Sequence, residues 1–271
     1  NDKPGPIPLP SQCSIKLIAL GWKHGHIVIN DNQMYSWGIG KSYRLGTGNK
    51  YSSEIPVKVS LPSNFEISMI AAGDAFGCAM SNNGELLAWG RKFAKKPTNF
   101  PLPSPAKYLS CGGTSILCTL ADGSVQLLTG SDSSRNIQIP DEKIIMTAAG
   151  TTHYVALTAA GTIYSWGSPY SSGHQTERSV PTKLRFTHTP IAAIFAYQDN
   201  SWFIDKMNNV FRCGKNEEGC LGSGDTTPIN TPTKLDFDFD TNTVIQIACG
   251  DNFTIVLTDS GTAYAAGCVK E

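Results

Sequence analysis

Short segments in which apolar and polar residues alternate run along the whole chain, and most of them are bounded by glycine, asparagine or proline. Clear examples are HIVIN at 26–30, CAMSN at 78–82, YVALT at 154–158 and TIVLT at 254–258. A two-residue period is typical of a strand with one buried face. No long helical period lies between these segments. The pattern therefore predicts an all-β protein built from half-buried antiparallel strands.

A glycine that follows a short apolar run marks an internal repeat, and we call it the anchor glycine. The anchors are Gly21, Gly73, Gly112, Gly150 and Gly250, and Tyr197 takes the glycine's place in a sixth copy. Successive anchors are separated by 52, 39, 38, 47 and 53 residues. Periods in this range predict a radial propeller or a β-solenoid.

Each repeat has the sequence of an antiparallel hairpin followed by a further strand. Eleven residues beyond the anchors stand Asn32, Gly84, Gly123, Gly161, Asn208 and Gly261. Glycine and asparagine tolerate the positive φ of a tight hairpin turn. A proline-led strand then closes the repeat, clearly in IPVKV at 55–59, VPTKL at 180–184 and TPTKL at 231–235, and more weakly in PSPAKYL at 103–109.

The two ends of the chain favour the propeller over the solenoid. The last repeat, 244–271, stops without its proline-led strand, and GPIPLPS at 5–11 resembles that strand without a repeat of its own. We therefore expect one domain over 1–271, a single β-propeller of antiparallel four-stranded blades, with six blades and seven as the alternative. Residues 1–13 would complete the last blade and close the ring, which removes the exposed sheet edges.

Composition narrows the classes of function. Lys+Arg and Asp+Glu both number 22, so the total charge does not suggest binding to nucleic acid or to an anionic membrane. No run approaches the roughly 20 apolar residues of a membrane span. The eight cysteines stand in apolar, strand-like surroundings, which favours reduced thiols and an intracellular protein of the cytoplasm or nucleus. The glycosylation sequon at 252–254 is weak evidence against this location.

The stretch GWKHGH at 21–26 is dense in reactive side chains but does not form a known catalytic or metal motif. The other histidines, His153, His174 and His188, are predicted to lie in other loops, and the chain has no CxxC or HxxxH spacing that would complete a ligand set. The chain also lacks a GxSxG elbow, and GIGKS at 38–42 follows a strand rather than opening a helix. We therefore expect no catalytic residues, no metal and no cofactor.

The anchor, hairpin, YSWG and proline-led elements, together with GIGKSYRLGTG at 38–48 and GKNEEGCLGSG at 214–224, resemble the repeat of the regulator-of-chromosome-condensation family. The resemblance covers nearly the whole chain. It implies a β-propeller, usually of seven blades, and a protein-binding function. In members that act on small GTPases, acidic and histidine side chains from the turns after the anchors face the GTPase.

The family's positions map onto the turns that follow the anchors in this chain. The residues expected to bind a partner are Trp22, Lys23, His24, Asp74, Phe76, His153, Asp199, Asn200, Asp251 and Phe253. Each has a structural alternative: the histidines could hydrogen bond a neighbouring blade, and Asp74 and Asp251 could cap their turns through backbone N–H groups.

The resemblance implies a non-catalytic, monomeric protein-binding propeller, most plausibly a regulator of a Ran-like small GTPase that acts by nucleotide exchange or GTPase binding. The loops at 91–104 and 168–180 do not resemble the β-wedge of the founding exchange factors. A pure interaction scaffold, a bacterial inhibitor and an exported effector acting in a host cytosol are the alternatives. The RKFAKK run at 91–96 is interpreted as a solvated loop or as a contact for an acidic surface.

Overall fold

The chain folds into successive antiparallel sheets, as the repeat predicts, in a computed structural model that describes residues 7–10, 13–139, 142–240, 242–250 and 252–268. It is an all-β fold, a β-propeller with six blades. The chain divides into two compact units, of which the first holds residues 1–121 and 126–135 and the second holds 122–125 and 136–271. The expected organisation as one domain over 1–271 stays a prediction.

Unit 1 contains three four-stranded blades. Blade 1 has β1 (Ile15–Leu20), β2 (His24–Ile29), β3 (Gln33–Gly38) and β4 (Ser53–Val59). Blade 2 has β5 (Ile67–Ala72), β6 (Phe76–Ser81), β7 (Leu86–Gly90) and β8 (Thr98–Phe100). Blade 3 has β9 (Ala106–Cys111), β10 (Ile116–Leu120), β11 (Val125–Gly130) and β12 (Ser133–Ile137). Short 3₁₀ turns lie at Asn30–Asn32 and Lys41–Tyr43.

Unit 2 contains two four-stranded blades and one sheet with three strands among its described residues. Blade 4 has β13 (Ile144–Ala149), β14 (His153–Thr158), β15 (Ile163–Gly167) and β16 (Arg178–Leu184). Blade 5 has β17 (Ile191–Tyr197), β18 (Asn200–Asp205), β19 (Val210–Gly214) and β20 (Ile229–Lys234). Blade 6 has β21 (Val244–Cys249), β22 (Phe253–Thr258) and β23 (Ala263–Gly267). Short 3₁₀ turns lie at Tyr170–Ser172 and Glu217–Gly219.

The predicted hairpin turns are confirmed residue by residue. Gly84, Gly123, Gly161 and Gly261 have φ between 79° and 87°, and Asn32 and Asn208 have φ of 56° and 62°. These are left-handed conformations that glycine and asparagine adopt at low cost. The turn chemistry therefore fixed the centre of every hairpin.

Two expectations about strands need correction. The second strands β2, β6 and β18 are buried at every position rather than half-buried. PSPAKYL at 103–109 does not close blade 2, since its C-terminal half belongs to β9, the first strand of blade 3. Blade 2 closes earlier, with the three-residue strand β8 after Pro97.

The apolar core lies between successive blades within each unit. In unit 1, Val28 and Met34 of blade 1 pack with Ala79 and Trp89 of blade 2. In unit 2, Val155 of blade 4 packs with Phe203 of blade 5 in a cluster of the same kind. Full burial of one such large side chain stabilises the fold by about 1.5–3 kcal/mol. Each blade thus depends on its neighbour for a closed core.

The predicted closing strand at 1–13 falls partly on residues 1–6 and 11–12, which lie outside the described residues. Ile7–Pro10 have no regular secondary structure. Completion of the last blade by this segment stays a prediction.

Candidate partner-binding face at the anchor turns

At four of the anchors, Gly21, Gly73, Gly150 and Gly250, an aromatic ring three residues later folds back over the glycine. A Cβ on Gly21 would lie 2.3 Å from Cε1 of His24, and a Cβ on Gly150 would lie 2.1 Å from Cε1 of His153. Gly250 is covered in the same way by a ring three residues later. Any side chain at these anchors would overlap the ring, so the small anchor and the ring form one packing unit.

In blade 3, Ser115 stands three residues after Gly112, so a ring does not account for every anchor glycine. Blade 5 lacks both the glycine and the ring. Its anchor position is Tyr197, and the residue three positions later is Asn200, which has no ring to fold back. Asn200 is buried, donates through Nδ2 to Cys220 Sγ (3.3 Å) and accepts from Asn216 N (3.3 Å). Asn200 therefore supports its own blade rather than facing solvent.

Backbone hydrogen bonds join equivalent turns of neighbouring blades. Asp74 N donates to Gly113 O (3.0 Å) in unit 1, and Thr151 N donates to Gln198 O (2.7 Å) in unit 2. All four residues directly follow their anchor positions. These two backbone bonds hold the turns of the blades that they join, so the side chains in those turns start from a fixed backbone.

His24 and His153 bridge neighbouring blades from buried positions. His24 Nε2 lies 3.2 Å from Phe76 O, which can only accept, so the Nε2 atom carries the proton. Ser201 Oγ donates to Ser171 O (2.7 Å) and therefore accepts from His153 Nε2 (2.7 Å). The structure gives both histidines the blade-bridging role that the structural alternative expected. A direct contact of either with a partner stays a prediction.

Burial keeps these imidazoles neutral. Desolvation lowers the pKa of His24 to about 4, helped by the nearby Arg44 charge. Desolvation also lowers the pKa of His153 to about 4, although Asp199 opposes the change. His26, whose Nδ1 lies 2.7 Å from Ser36 Oγ, has its pKa lowered well below its usual value by burial and by His24. None of the three is a surface proton donor or acceptor at neutral pH.

Trp22 and Lys23 are the exposed residues of the first turn. The Trp22 side chain is 52% exposed, and Lys23 Nζ lies 4.4 Å from the centre of its ring. This cation–π contact holds an aromatic surface and a positive charge side by side. Phe76, which was expected to bind a partner, is instead buried and packs on Phe93 at 5.4 Å.

Asp74 is half-buried in the second turn, next to Arg44. Arg44 Nη1 donates to Asp74 O (3.0 Å), and Arg44 O accepts from Trp89 Nε1 (3.0 Å). Burial lowers the pKa of Arg44, while Asp74 opposes that change. Asp74 thus belongs to a polar junction between blades 1 and 2.

The matching part of unit 2 is acidic and polar. Asp199 forms a salt bridge of 2.5 Å with Lys215 and raises the pKa of that lysine. Both residues line a cleft of about 210 Å³ together with Glu217 and Asn252. Phe253 is 39% exposed. Asp251 lies outside the described residues, so its role stays a prediction.

A second group of residues at the same sheet edge was not among the predicted site residues. The loops after β3 and β7 leave the edge that carries the anchor turns, because antiparallel strands alternate in direction. We call their exposed cations the basic cluster: Lys41, Lys50, Arg91, Lys92, Lys95 and Lys96.

The two loops of the basic cluster pack on each other. Tyr43 lies between Lys50 and Lys95, whose Nζ atoms are 5.1 Å and 5.6 Å from its ring centre. Ser131 N donates to Lys92 O (2.9 Å), which fixes the second loop to blade 3. The RKFAKK run was visible in the sequence, but its approach to the loop at 39–52 required the fold.

Charge is distributed unequally between the two units. Unit 1 has 13 Lys and Arg against 7 Asp and Glu, a formal charge of +6, and unit 2 has 9 against 15, a formal charge of −6. The salt bridges found among the described residues, Lys183–Glu142 and Lys215–Asp199, both lie in unit 2. The neutral total of the chain therefore conceals an excess of positive charge in unit 1 and of negative charge in unit 2.

Comparison with known proteins agrees with the repeat and its fold. The model of the regulator of chromosome condensation (RCC1) repeat matches residues 31–80 and 208–257. These two segments of the chain therefore carry RCC1-type repeats, in agreement with the resemblance found in the sequence. It is 25% identical to the ultraviolet-B receptor UVR8 of Arabidopsis thaliana over 97% of this chain and 55% of that protein. It is 24% identical to the protein pim1 of Schizosaccharomyces pombe over 92% of this chain and 46% of pim1.

Two solved structures share the fold of this RCC1-type chain. Human WBSCR16 superimposes with a TM-score of 0.82 at 17% identity, covering 93% of this chain and 74% of WBSCR16. Prp20p of Saccharomyces cerevisiae, described with its binding to Gsp1p and histones, superimposes with a TM-score of 0.79 at 20% identity, covering 93% of this chain and 72% of Prp20p. The chain thus spans about half the length of UVR8 and pim1.

Neither a metal site nor a membrane-spanning helix is found within the described part of the chain. No three His, Cys, Asp or Glu side chains there are grouped so that they could hold a metal ion. No helix among those residues has the length and apolar character needed to span a membrane. GIGKS at 38–42 joins the end of β3 to a 3₁₀ turn, as its sequence context predicted.

Proposed function

We propose that this RCC1-type propeller is a non-catalytic regulator of a small GTPase of the Ran type. The observation that carries the proposal is the exposed Trp22–Lys23 pair on the same sheet edge as the basic cluster. Its turn is held by the bond from Ile39 N to Lys23 O and by the contact of His24 with Phe76 O of blade 2. Tryptophan on a rigid backbone is a common binding hot spot. The fold shared with Prp20p, which is described as binding Gsp1p, supports the choice of a GTPase as the first partner to test.

Such a regulator needs differential affinity rather than proton transfer. A protein that binds the nucleotide-free GTPase more tightly than the loaded one promotes nucleotide release by linkage alone. The buried, neutral histidines fit this function, because they stiffen the turns without taking part in chemistry. Trp22 and Asp74 would then contact the partner.

The basic cluster supports a partner with an acidic surface. Complementary charge increases association rates and orients the encounter, and it weakens as salt screens it. The cations are exposed, so their contribution appears in the rate of association more than in the final affinity.

We expect the full chain in excess to accelerate release of fluorescent GDP from Ran. Replacing both Asp74 and Asp251 by asparagine should reduce the acceleration at least tenfold, because loss of a charged contact in an interface costs about 2 kcal/mol or more. The measurement is the GDP fluorescence decay, together with thermal melting of each variant.

Asp259→Asn is the matched control, since Asp259 lies in the β22–β23 turn and Asn keeps the acceptor that holds Thr243 N. It should leave GDP release unchanged. A stable complex without accelerated release would make the protein a scaffold, and no complex with any GTPase tested would refute the proposal. A double variant that melts many degrees earlier would show that Asp74 and Asp251 are structural.

We also expect the triple variant Lys92→Glu, Lys95→Glu and Lys96→Glu to slow association with the partner by about tenfold at low salt. The difference should shrink as salt rises through about 0.15 M, because the Debye length falls below about 8 Å. Stopped-flow association at several salt concentrations tests this. Equal rates for both proteins at low salt would exclude electrostatic steering by this loop.

We also propose a location in the cytoplasm or nucleus. The proposal is supported by the eight cysteines, none of which is paired in a disulfide. Cys78, Cys118, Cys213 and Cys220 are buried as small apolar side chains.

A further inference from the structure

The last sheet has an unpaired edge among the described residues. In the five other sheets a fourth strand pairs with the third, but β23 has only β22 beside it. Every position of β7 and β19 is buried, whereas β23 alternates between exposed and half-buried positions. An unpaired edge presents free N–H and C=O groups to an incoming strand.

Blade 4 shows what a fourth strand contributes at this place in the repeat. Tyr164 of β15 is opposite Lys183 of β16 in the sheet. Tyr164 Oη donates to Glu142 Oε1 (3.3 Å), and Lys183 Nζ lies 3.8 Å from the same oxygen. The tyrosine, the carboxylate and the lysine of the fourth strand thus form one polar group.

Blade 6 repeats the first two members of that group. Tyr264 takes the place of Tyr164 in its third strand, and its Oη donates to Asp240 Oδ2 (3.3 Å). Asp238 lies close enough to Tyr264 to influence its ionisation. No salt bridge joins a lysine or arginine of the described residues to either aspartate. The cation that completes the group in blade 4 is the member missing here.

An apolar cavity of about 230 Å³ lies beside the same strand. Phe237, Phe239 and Tyr264 form one wall, with ring centres 4.9–5.3 Å apart, and Leu235 and Val256 lie deeper. Phe237 is 51% exposed. The edge therefore offers backbone pairing, an apolar recess and two carboxylates together.

We propose that β23 and this recess bind an extended segment of a partner protein with the pattern aliphatic–Pro–x–Lys–aliphatic. The strands that fill this place in blades 1, 4 and 5 have that proline and lysine, at Pro56-Val57-Lys58, Pro181-Thr182-Lys183 and Pro232-Thr233-Lys234. Proline is tolerated because the incoming strand is itself an edge. The lysine would lie opposite Tyr264 and neutralise Asp240.

The chain's own N-terminal segment fits this place less well. Its prolines stand at 4, 6, 8 and 10, and none is followed two residues later by lysine. The lysine of that segment, Lys3, precedes all four prolines instead of following one of them by two residues. A strand supplied by another protein satisfies both the apolar recess and the charge.

The test uses the full chain and a fluorescent peptide with the sequence of β16, RSVPTKL. We expect saturable binding by fluorescence anisotropy, with slower amide hydrogen exchange at 263–267 when peptide is added. A peptide with methionine in place of the lysine should bind roughly 2- to 5-fold more weakly, the effect of one exposed ion pair.

Variants of the protein test whether the lysine of the bound peptide pairs with Asp240. Asp240→Asn should weaken the lysine peptide to the level of the methionine peptide and leave the methionine peptide unchanged. Asp240 has φ of 54°, and asparagine accepts that conformation, so the variant keeps its turn. Glu142→Gln is the matched control, because that carboxylate already has its lysine, and it should not change peptide binding.

Three results would overturn the proposal. Absence of binding to the full chain and to a variant lacking residues 1–13 would exclude an acceptor edge. Binding only after that deletion would assign the edge to the chain's own N-terminus, as the predicted closure requires. Binding that ignores both the peptide lysine and Asp240 would refute the charge pairing. None of these outcomes depends on GTPase binding, so the two proposals fail separately.

Discussion

Lowering the pH from 7 to 5 should reduce the free energy of unfolding of this RCC1-type propeller by about 4 kcal/mol through His24 and His153, and further through His26, whose pKa burial also lowers. His24 and His153 have pKa values lowered to about 4 by burial, against 6.5 for the unfolded chain. Between these values the unfolded chain binds more protons than the native protein. The stabilisation is therefore complete above about pH 6.5 and is lost as pH falls towards 4, at about 2 kcal/mol for each histidine at pH 5.

Urea unfolding at pH 7 and pH 5 measures this difference. His153→Asn, which places the blade 5 residue in blade 4, should remove about 2 kcal/mol of the pH dependence while lowering the free energy of unfolding at pH 7. His188→Gln is the control, because His188 is exposed and should leave the dependence unchanged. A wild-type difference below about 1 kcal/mol would show that these imidazoles are protonated without unfolding.

Gly150→Ala should destabilise the protein by about 3 kcal/mol, the upper part of the range for overpacking. The new Cβ would lie 2.1 Å from Cε1 of His153 and 2.5 Å from Gln198 O. The ring is buried and bonded to Ser201, and the carbonyl belongs to the backbone of blade 5. Neither neighbour can retreat without breaking the contact between blades 4 and 5.

Gly250→Ala is the matched comparison, since its three nearest neighbours are all atoms of the Phe253 ring. Phe253 is 39% exposed and can turn towards solvent, so the cost should stay below about 1 kcal/mol. The urea midpoints of the two variants measure the difference between these two losses of stability. Equal losses would mean that the anchor glycines serve the turn backbone rather than the packing of the ring.

The pH experiment and the glycine substitutions both test how the anchor turns are built. The anchor turns of blades 2 and 4 combine a glycine, an aromatic ring that folds back over it, and a backbone bond to the next blade. His24 and His153 therefore stiffen their turns, whereas Trp22, Lys23 and the basic cluster are left for contact with a partner. Rigid turns lose less conformational entropy when a partner binds, which lowers the free-energy cost of binding.

Local rules were sufficient for much of the fold. The positive φ of Asn32 and Asn208 follows from the short polar side chain of asparagine, which is the residue after glycine that best accepts a left-handed turn. The proline and lysine of IPVKV, VPTKL and TPTKL marked β4, β16 and β20, because an edge strand accepts proline and a solvated cation. The segment PSPAKYL led to a wrong prediction for the last strand of blade 2. Proline and lysine also occur where β9, the first strand of blade 3, begins.

What the sequence determined by itself is the repeat: strand order, hairpin centres and the β-propeller class follow from the spacing of glycine, asparagine and proline, which act through the local backbone. The tertiary structure alone decided which side chains of the turns are available. His24 and His153 are withdrawn because the next blade supplies their acceptors, and Lys50 and Lys95 meet at Tyr43 although 45 residues separate them. Burial and charge clustering depend on distances between blades, and no local pattern contains those distances.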